Sequence, residues 1–180
     1  MQDRLNSWFV RLLSELDHCY SAHFVTFTYA NSPGTEDGEE TLNYKDVQKF
    51  FKRLRHSQDR KIKYFCVGEY GEKSGRPHYH AIIFNVEDVN QFQKCWKHGH
   101  VHVGTVQEES IYYTLKYTLK RGVKWGKKDS ITRYQEKALM SKGLGLGYLT
   151  ENMIRYFKSD VSRPITLKDN KKLPLPRALS

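Results

Sequence analysis

Apolar positions near the start of the chain recur at helical spacing. Between residues 4 and 17, Leu5, Trp8, Phe9, Leu12, Leu13 and Leu16 fall on one stripe, which predicts an amphipathic helix. His23 to Tyr29 is β-branched and aromatic and reads as a strand. Asn31-Ser32-Pro33-Gly34 breaks it, and the acidic stretch 36–40 follows as an exposed loop. A second helix starts at Asn43 or Tyr44, with Val47, Phe50, Phe51 and Leu54 on its inner side and Lys and Arg outside. Ile62 to Tyr70 and Pro77 to Asn85 read as strands joined by the glycine-containing turn Gly71 to Arg76, hence a hairpin. A short helix over 87–96, a strand over His100 to Val106 and a helix over Glu109 to Arg121 complete the regular part.

Beyond that the pattern weakens. Residues 132–140 and 147–158 read as helical around the glycine-rich run 143–147, and Lys168-Asp169-Asn170-Lys171 as the turn of a terminal hairpin. No internal repeat or domain boundary is evident. The chain therefore reads as one domain, 1–180, with a core over 20–125 and a helical or hairpin extension over 126–180. The central hairpin demands antiparallel pairing, so the expected class is α+β, an antiparallel sheet with helices packed on it.

Chemistry enters through alternation. Side chains alternate along a strand, so His78 and His80 share one face, followed by Ile82 and Phe84. Glu69 lies at the end of the preceding strand, and a hairpin brings it beside them. One carboxylate with two imidazoles suits Mg²⁺ or Mn²⁺ with positions open for phosphate oxygens. The bland alternative is a pair of ordinary surface or core histidines. His98, His100 and His102 also alternate and form a competing set, with no carboxylate nearby in sequence.

On the helix over 109–121, Tyr113, Lys116, Tyr117 and Lys120 lie on one side, while Ile111, Leu115 and Leu119 lie opposite with Tyr112 beside them. Tyrosines that fill a core should join the apolar stripe, and Tyr113 and Tyr117 do not. A phenol ionises near pH 10, so Lys116 is placed to ease its deprotonation or to hold a phosphate. The alternative is a solvated Tyr/Lys face that only binds nucleic acid.

Composition sharpens this. Lys+Arg 30 against Asp+Glu 20 gives a net charge of +10, with a sequence pI near 9.4, which favours a polyanionic partner. Lys52, Arg53, Arg55, Arg60, Lys61 and Lys63 are candidate backbone contacts, and aromatics at 13% offer stacking faces for unpaired bases. Cys19, Cys66 and Cys95 are scattered and form no CxxC, so a reducing compartment is expected. No run approaches the roughly 20 apolar residues of a membrane span. Asp3, Arg4, Asn6 and Arg11 interrupt any signal-peptide core.

Gly68-Glu69-Tyr70-Gly71, then Gly75-Arg76-Pro77-His78-Tyr79-His80-Ala81, then Tyr113-x-x-x-Tyr117 together resemble the HUH endonucleases. Phe24-Val25-Thr26-Phe27-Thr28-Tyr29 is similar to that family's first strand motif. Within the superfamily the pattern is most similar to rolling-circle replication initiators of microviruses, the gokushovirus-like single-stranded DNA phages. The resemblance implies a central five-stranded antiparallel sheet flanked by helices. It implies metal ligation by His78 and His80 with Glu69 as third ligand, and nucleophilic Tyr113 and Tyr117 assisted by Lys116. Lys120, Arg76, Arg53 and Lys63 would contact DNA. The implied reaction is metal-dependent nicking of a single-stranded origin through a 5′-phosphotyrosine, starting and ending rolling-circle replication in the cytoplasm of a bacterial host.

A Walker-type GxxxxGK[ST] is absent from the sequence, so a host helicase and polymerase are expected partners. A relaxase or transposase would use the same chemistry. A non-catalytic single-strand-binding module and a hydrolase in which water attacks are alternatives of other classes.

Overall fold

The computed structural model describes residues 2–36, 38–119, 133–148, 150–160, 162–166, 170 and 172–173. Helix α1 (Gln2–His18) leads into strand β1 (Ala22–Thr28), then α2 (Tyr44–His56), β2 (Lys63–Tyr70) and β3 (Pro77–Phe84). These are followed by α3 (Asn90–Cys95), β4 (Val101–Thr105), α4 (Glu108–Leu119) and β5 (Ala138–Met140). A 3₁₀ turn (Leu146–Tyr148), α5 (Glu151–Ser159) and a small hairpin, β6 (Ile165–Thr166) with β7 (Lys172–Leu173), come last. No helix among the described residues is long and apolar enough to cross a membrane.

The main sheet has five strands in the order β4-β1-β3-β2-β5, all pairs antiparallel. The expected α+β architecture is thus what the chain adopts, and β3, which carries His78 and His80, is its central strand. One correction concerns residues 132–140, expected to be helical. Residues 138–140 form the fifth strand instead, pairing Phe65↔Met140, Cys66↔Leu139 and Val67↔Ala138 with β2. An open edge on β2 recruits this short apolar run, and the non-local ladder overrides its local helical preference.

Each face of the sheet has its own apolar layer, because alternation sends successive residues to opposite sides. On one face Val25, Phe27, Tyr79, Ala81 and Ile83 pack against Val47, Phe50, Phe51 and Leu54 of α2 and against Phe92 and Trp96. On the other, Phe65, Val67, Ile82 and Phe84 pack against Leu5, Phe9 and Leu12 of α1, Ile111 and Leu115 of α4, and Leu144. Helix α2 begins where its side-chain cap demands, with Asn43 Oδ1 accepting from Lys45 N at 3.1 Å.

The glycine-rich run has a structural explanation. Gly145 has φ +77° and lies against α1, where an added Cβ would sit 2.5 Å from Arg11 O. Arg11 Nη2 donates to Leu144 O at 2.7 Å, and the buried Glu15 accepts from Gly145 N at 2.9 Å and Lys63 Nζ at 2.8 Å. The run is a tight docking turn that ties α1 to β2.

Candidate metal and nucleophile site

The site begins with the β2–β3 register. Glu69 pairs directly with His78, and Val67 pairs with His80. The turn between the strands is closed by Gly71 N donating to Arg76 O at 3.0 Å and Gly75 N to Gly71 O at 2.7 Å, with Gly75 in the left-handed region. This places Glu69 Oε2 3.6 Å from His78 Nε2 and 3.5 Å from His80 Nε2. Glu69 and His80 are buried and His78 is half-buried.

The donor set fits a divalent cation. His78 Nδ1 lies 3.2 Å from the Arg76 carbonyl oxygen, which only accepts. That nitrogen therefore carries the proton, and in the neutral ring the Nε2 lone pair faces Glu69. His80 Nδ1 is held by Thr26 Oγ1 at 2.9 Å, the kind of outer contact that orients a metal-bound imidazole. Glu69 Oε2 is buried without a hydrogen bond, a costly arrangement that a cation would relieve. Glu69, His78 and His80 thus form a group that can hold a metal ion, and no other comparably tight set of three such side chains occurs among the described residues.

The two imidazoles titrate apart. Burial, then repulsion from His78, lowers His80 to about 3. Burial also works against the charged form of His78, but the Glu69 carboxylate and the Arg76 carbonyl outweigh it and raise that ring above its ordinary 6.5.

Helix α4 brings the phenol. Ile111 and Leu115 are fully buried beneath it, Tyr112 stacks on Phe9 at 4.1 Å, and Tyr113 turns outward with 41% of its surface exposed. The Tyr113 ring stands edge-on to His80, centroids 5.2 Å apart, and to Phe24 at 6.2 Å. Phe24 in turn stacks on His80 at 5.6 Å. A cavity of about 380 Å³ lies over this group, lined among others by Thr26, Thr28, Arg76, His78, His80 and Tyr113. Its size suits one or two nucleotide units rather than a duplex.

The other residues expected from the sequence divide by location. Lys116 is exposed on α4. Tyr117 lies within α4, but its side chain and the whole of Lys120 fall outside the described residues. Arg76 lines the cavity, donates to Tyr29 O at 3.1 Å and pairs with Glu40 at 3.7 Å. Arg53 and Lys63 are not brought to the site. Arg53 lies on the α2 side of the sheet and donates to Cys95 O at 2.8 Å, and Lys63 is paired with Glu15. Of the competing histidines, His98 precedes β4 and turns toward Asp46, Nε2 to Oδ1 3.5 Å, so the set of three does not form one row.

Sequence reasoning missed three contributors. Thr26 and Phe24 are on the same strand face as the site, which the alternation of β1 could have revealed. Glu136, whose Oε1 accepts from Tyr70 N at 3.0 Å and whose charge favours protonated His78, lay hidden in the stretch expected to be helical.

Comparison with known proteins bears on this arrangement. The family model for replication-associated proteins of the ORF2 type matches residues 22–122, which contain the sheet core, Glu69, both histidines and α4. The chain belongs to this family. The replication-associated protein ORF2 of Spiroplasma virus 4 is 31% identical over 191 residues, covering 96% of this chain and 56% of that protein. The replication-associated protein ORF4 of Chlamydia phage 1 is 30% identical over 149 residues, covering 68% of this chain and 37% of that protein. The replication-associated protein VP4 of Bdellovibrio phage phiMH2K is 28% identical over 123 residues, covering 54% and 38% respectively. This family member therefore spans little more than half the length of the first of these relatives and less of the others. The relatives are the microvirus-like phage proteins that the sequence motifs resemble. No solved structure gives a significant match.

Proposed function

We propose that this chain is a nicking and joining domain for single-stranded DNA that initiates and terminates rolling-circle replication. The observation that carries this reading is the Tyr113 ring beside His80, at the rim of a cavity whose floor is the Glu69-His78-His80 group. A divalent ion, manganese or magnesium, held by those three residues would polarise the scissile phosphate.

The chain's own groups carry the remaining steps. Tyr113 Oη attacks phosphorus as its proton leaves, and the 3′ oxygen departs. The products are a 5′-phosphotyrosine and a free 3′-OH that can prime synthesis. The phosphodiester energy is retained, so a later 3′-OH attacks the adduct, restores the DNA bond and frees the phenol. Tyr117, one helical turn away, serves as the second nucleophile when the first is occupied. Lys116 offsets charge on the phosphate, and Lys120 and Arg76 guide the strand. Unwinding and polymerisation fall to host enzymes in the bacterial cytoplasm. Support comes from the family, whose phage members are named for replication.

The test is incubation of the protein with labelled single-stranded origin DNA and Mn²⁺, resolved on a denaturing gel. A covalent protein–DNA adduct is expected. Cleavage without an adduct would indicate attack by water, and binding without cleavage would indicate a binding module.

A further inference from the structure

His100 and His102 have no place in the reaction as described, yet the register puts them in line with it. Thr26 pairs with His80 on one side and with His102 on the other. Thr28 pairs with His78, and on its other edge Thr28 N donates to His100 O at 3.0 Å. The sheet therefore carries two parallel rows across its strands, His102-Thr26-His80 and His100-Thr28-His78-Glu69. Residues paired across strands share a face, so all seven side chains belong to the side bearing the metal group. Both edge histidines are exposed.

Charge along these rows is lopsided. The carboxylates stand on the β2 side, where Glu69 is joined by Glu136 next to His78. On this face β1 presents Phe24, Thr26 and Thr28, and β4 presents His102 and Gly104, with no acid among them. The acids nearest β4 in sequence, Glu108 and Glu109, open α4 beyond the strand's far end. Arg76 stands at the His100 end, bonded to the Tyr29 carbonyl one residue past Thr28. A polyanion seated over His78 and His80 is repelled on the β2 side and meets only N–H and O–H donors on the β4 side. Gly104 also leaves the β4 flank of Phe24 without a covering side chain.

We propose that His100 and His102 form a strand-binding subsite that holds the phosphodiester backbone of single-stranded DNA on the β4 side of the cleaved phosphate. The subsite lies two strand spacings from β3, roughly 10 Å, within reach of the phosphates next along the chain. This rests on the proposed single-stranded substrate, and it adds the direction in which that substrate leaves the metal group.

The test uses the full chain and a short fluorescein-labelled single-stranded oligonucleotide of mixed sequence, with chelator present so that no metal contributes to binding. By fluorescence anisotropy, the His100→Ala/His102→Ala variant should bind about tenfold or more weakly than wild type. Thr105→Ala, an exposed change on the same strand but the opposite face, should stay within about twofold. His102→Gln, which keeps a donor, should recover part of the loss if the role is hydrogen bonding. Mn²⁺ affinity and stoichiometry, by calorimetry, should match wild type in all three. Unchanged DNA affinity in the double variant would overturn the proposal. So would a fall from two bound ions to one, because the pair would then be a second metal site. Failure of the nicking reading gives a different signature: wild type forms no adduct, while the anisotropy difference persists.

Discussion

The two faces of β3 use consecutive residues for opposite ends. Tyr79 points to the α2 side, fully buried, its hydroxyl accepting from Asn43 N at 2.7 Å and sharing a hydrogen bond with Tyr29 OH at 3.2 Å. Burial pushes its phenol up, so it stays protonated. His78 and His80 point to the other side, where their closest charged neighbour is a carboxylate lacking any hydrogen bond at one oxygen. The tyrosine between the two histidines is thus a structural one, and Tyr113, from a helix further along the chain, is the one poised over the imidazoles. The contrast teaches that the packed face fixes the strand so that the other face can keep polar groups in a geometry they would not choose alone.

Breaking the packed face should have the largest effect. Phe27 is fully buried, with ring centroids 4.6 Å from Phe50 and 5.1 Å from Trp96. Phe27→Ala should cost about 3–5 kcal/mol in a denaturant titration, enough to leave the domain marginal. Glu69→Gln probes the open face. It should weaken Mn²⁺ binding by at least ~100-fold in calorimetry, while metal-free melting is unchanged or raised, because a buried carboxylate that lacks a hydrogen bond is removed. A large loss of metal-free stability would mean that Glu69 is structural and the two faces are less distinct than described.

The sheet was legible in the sequence where alternation was unbroken. Four of its five strands and helices α1, α2 and α4 follow from apolar spacing, and the metal group follows from the hairpin that joins Glu69 to His78. The fifth strand was not legible, because Ala138-Leu139-Met140 is a helix-forming tripeptide made extended only by the free edge of β2. The charged residues were the hardest to assign. Nothing local marks Lys63 as the partner of Glu15 or Arg53 as the partner of the Cys95 carbonyl, because both contacts form only once distant segments pack.

Smaller perturbations sharpen the comparison. Thr26→Val removes the hydroxyl at His80 Nδ1 and should lower Mn²⁺ affinity about tenfold with little change in fold. The pH response should be smaller and two-sided. Unfolded His80 takes up a proton near 6.5 while the folded ring resists until about 3, so metal-free stability falls as pH drops through that window. His78 is raised, so its contribution is present below 6.5 and is lost as pH climbs through its folded value. Metal-free stability from this pair should therefore be greatest near 6.5, and Mn²⁺ should bind more tightly as pH rises and His78 gives up its proton. Thermal melts and calorimetric titrations across that range check both slopes, and His80→Gln should flatten the acid limb.

The claim that a phenol on α4 is the attacking group is tested most directly by mapping the linkage. The protein is reacted with single-stranded origin DNA and Mn²⁺, digested with nuclease and protease, and the nucleotide-bearing peptide is sequenced by mass spectrometry. The account expects the nucleotide on Tyr113 or Tyr117 and no adduct from Tyr113→Phe/Tyr117→Phe. A linkage mapped to any other residue, or an adduct that survives in the double variant, would contradict it.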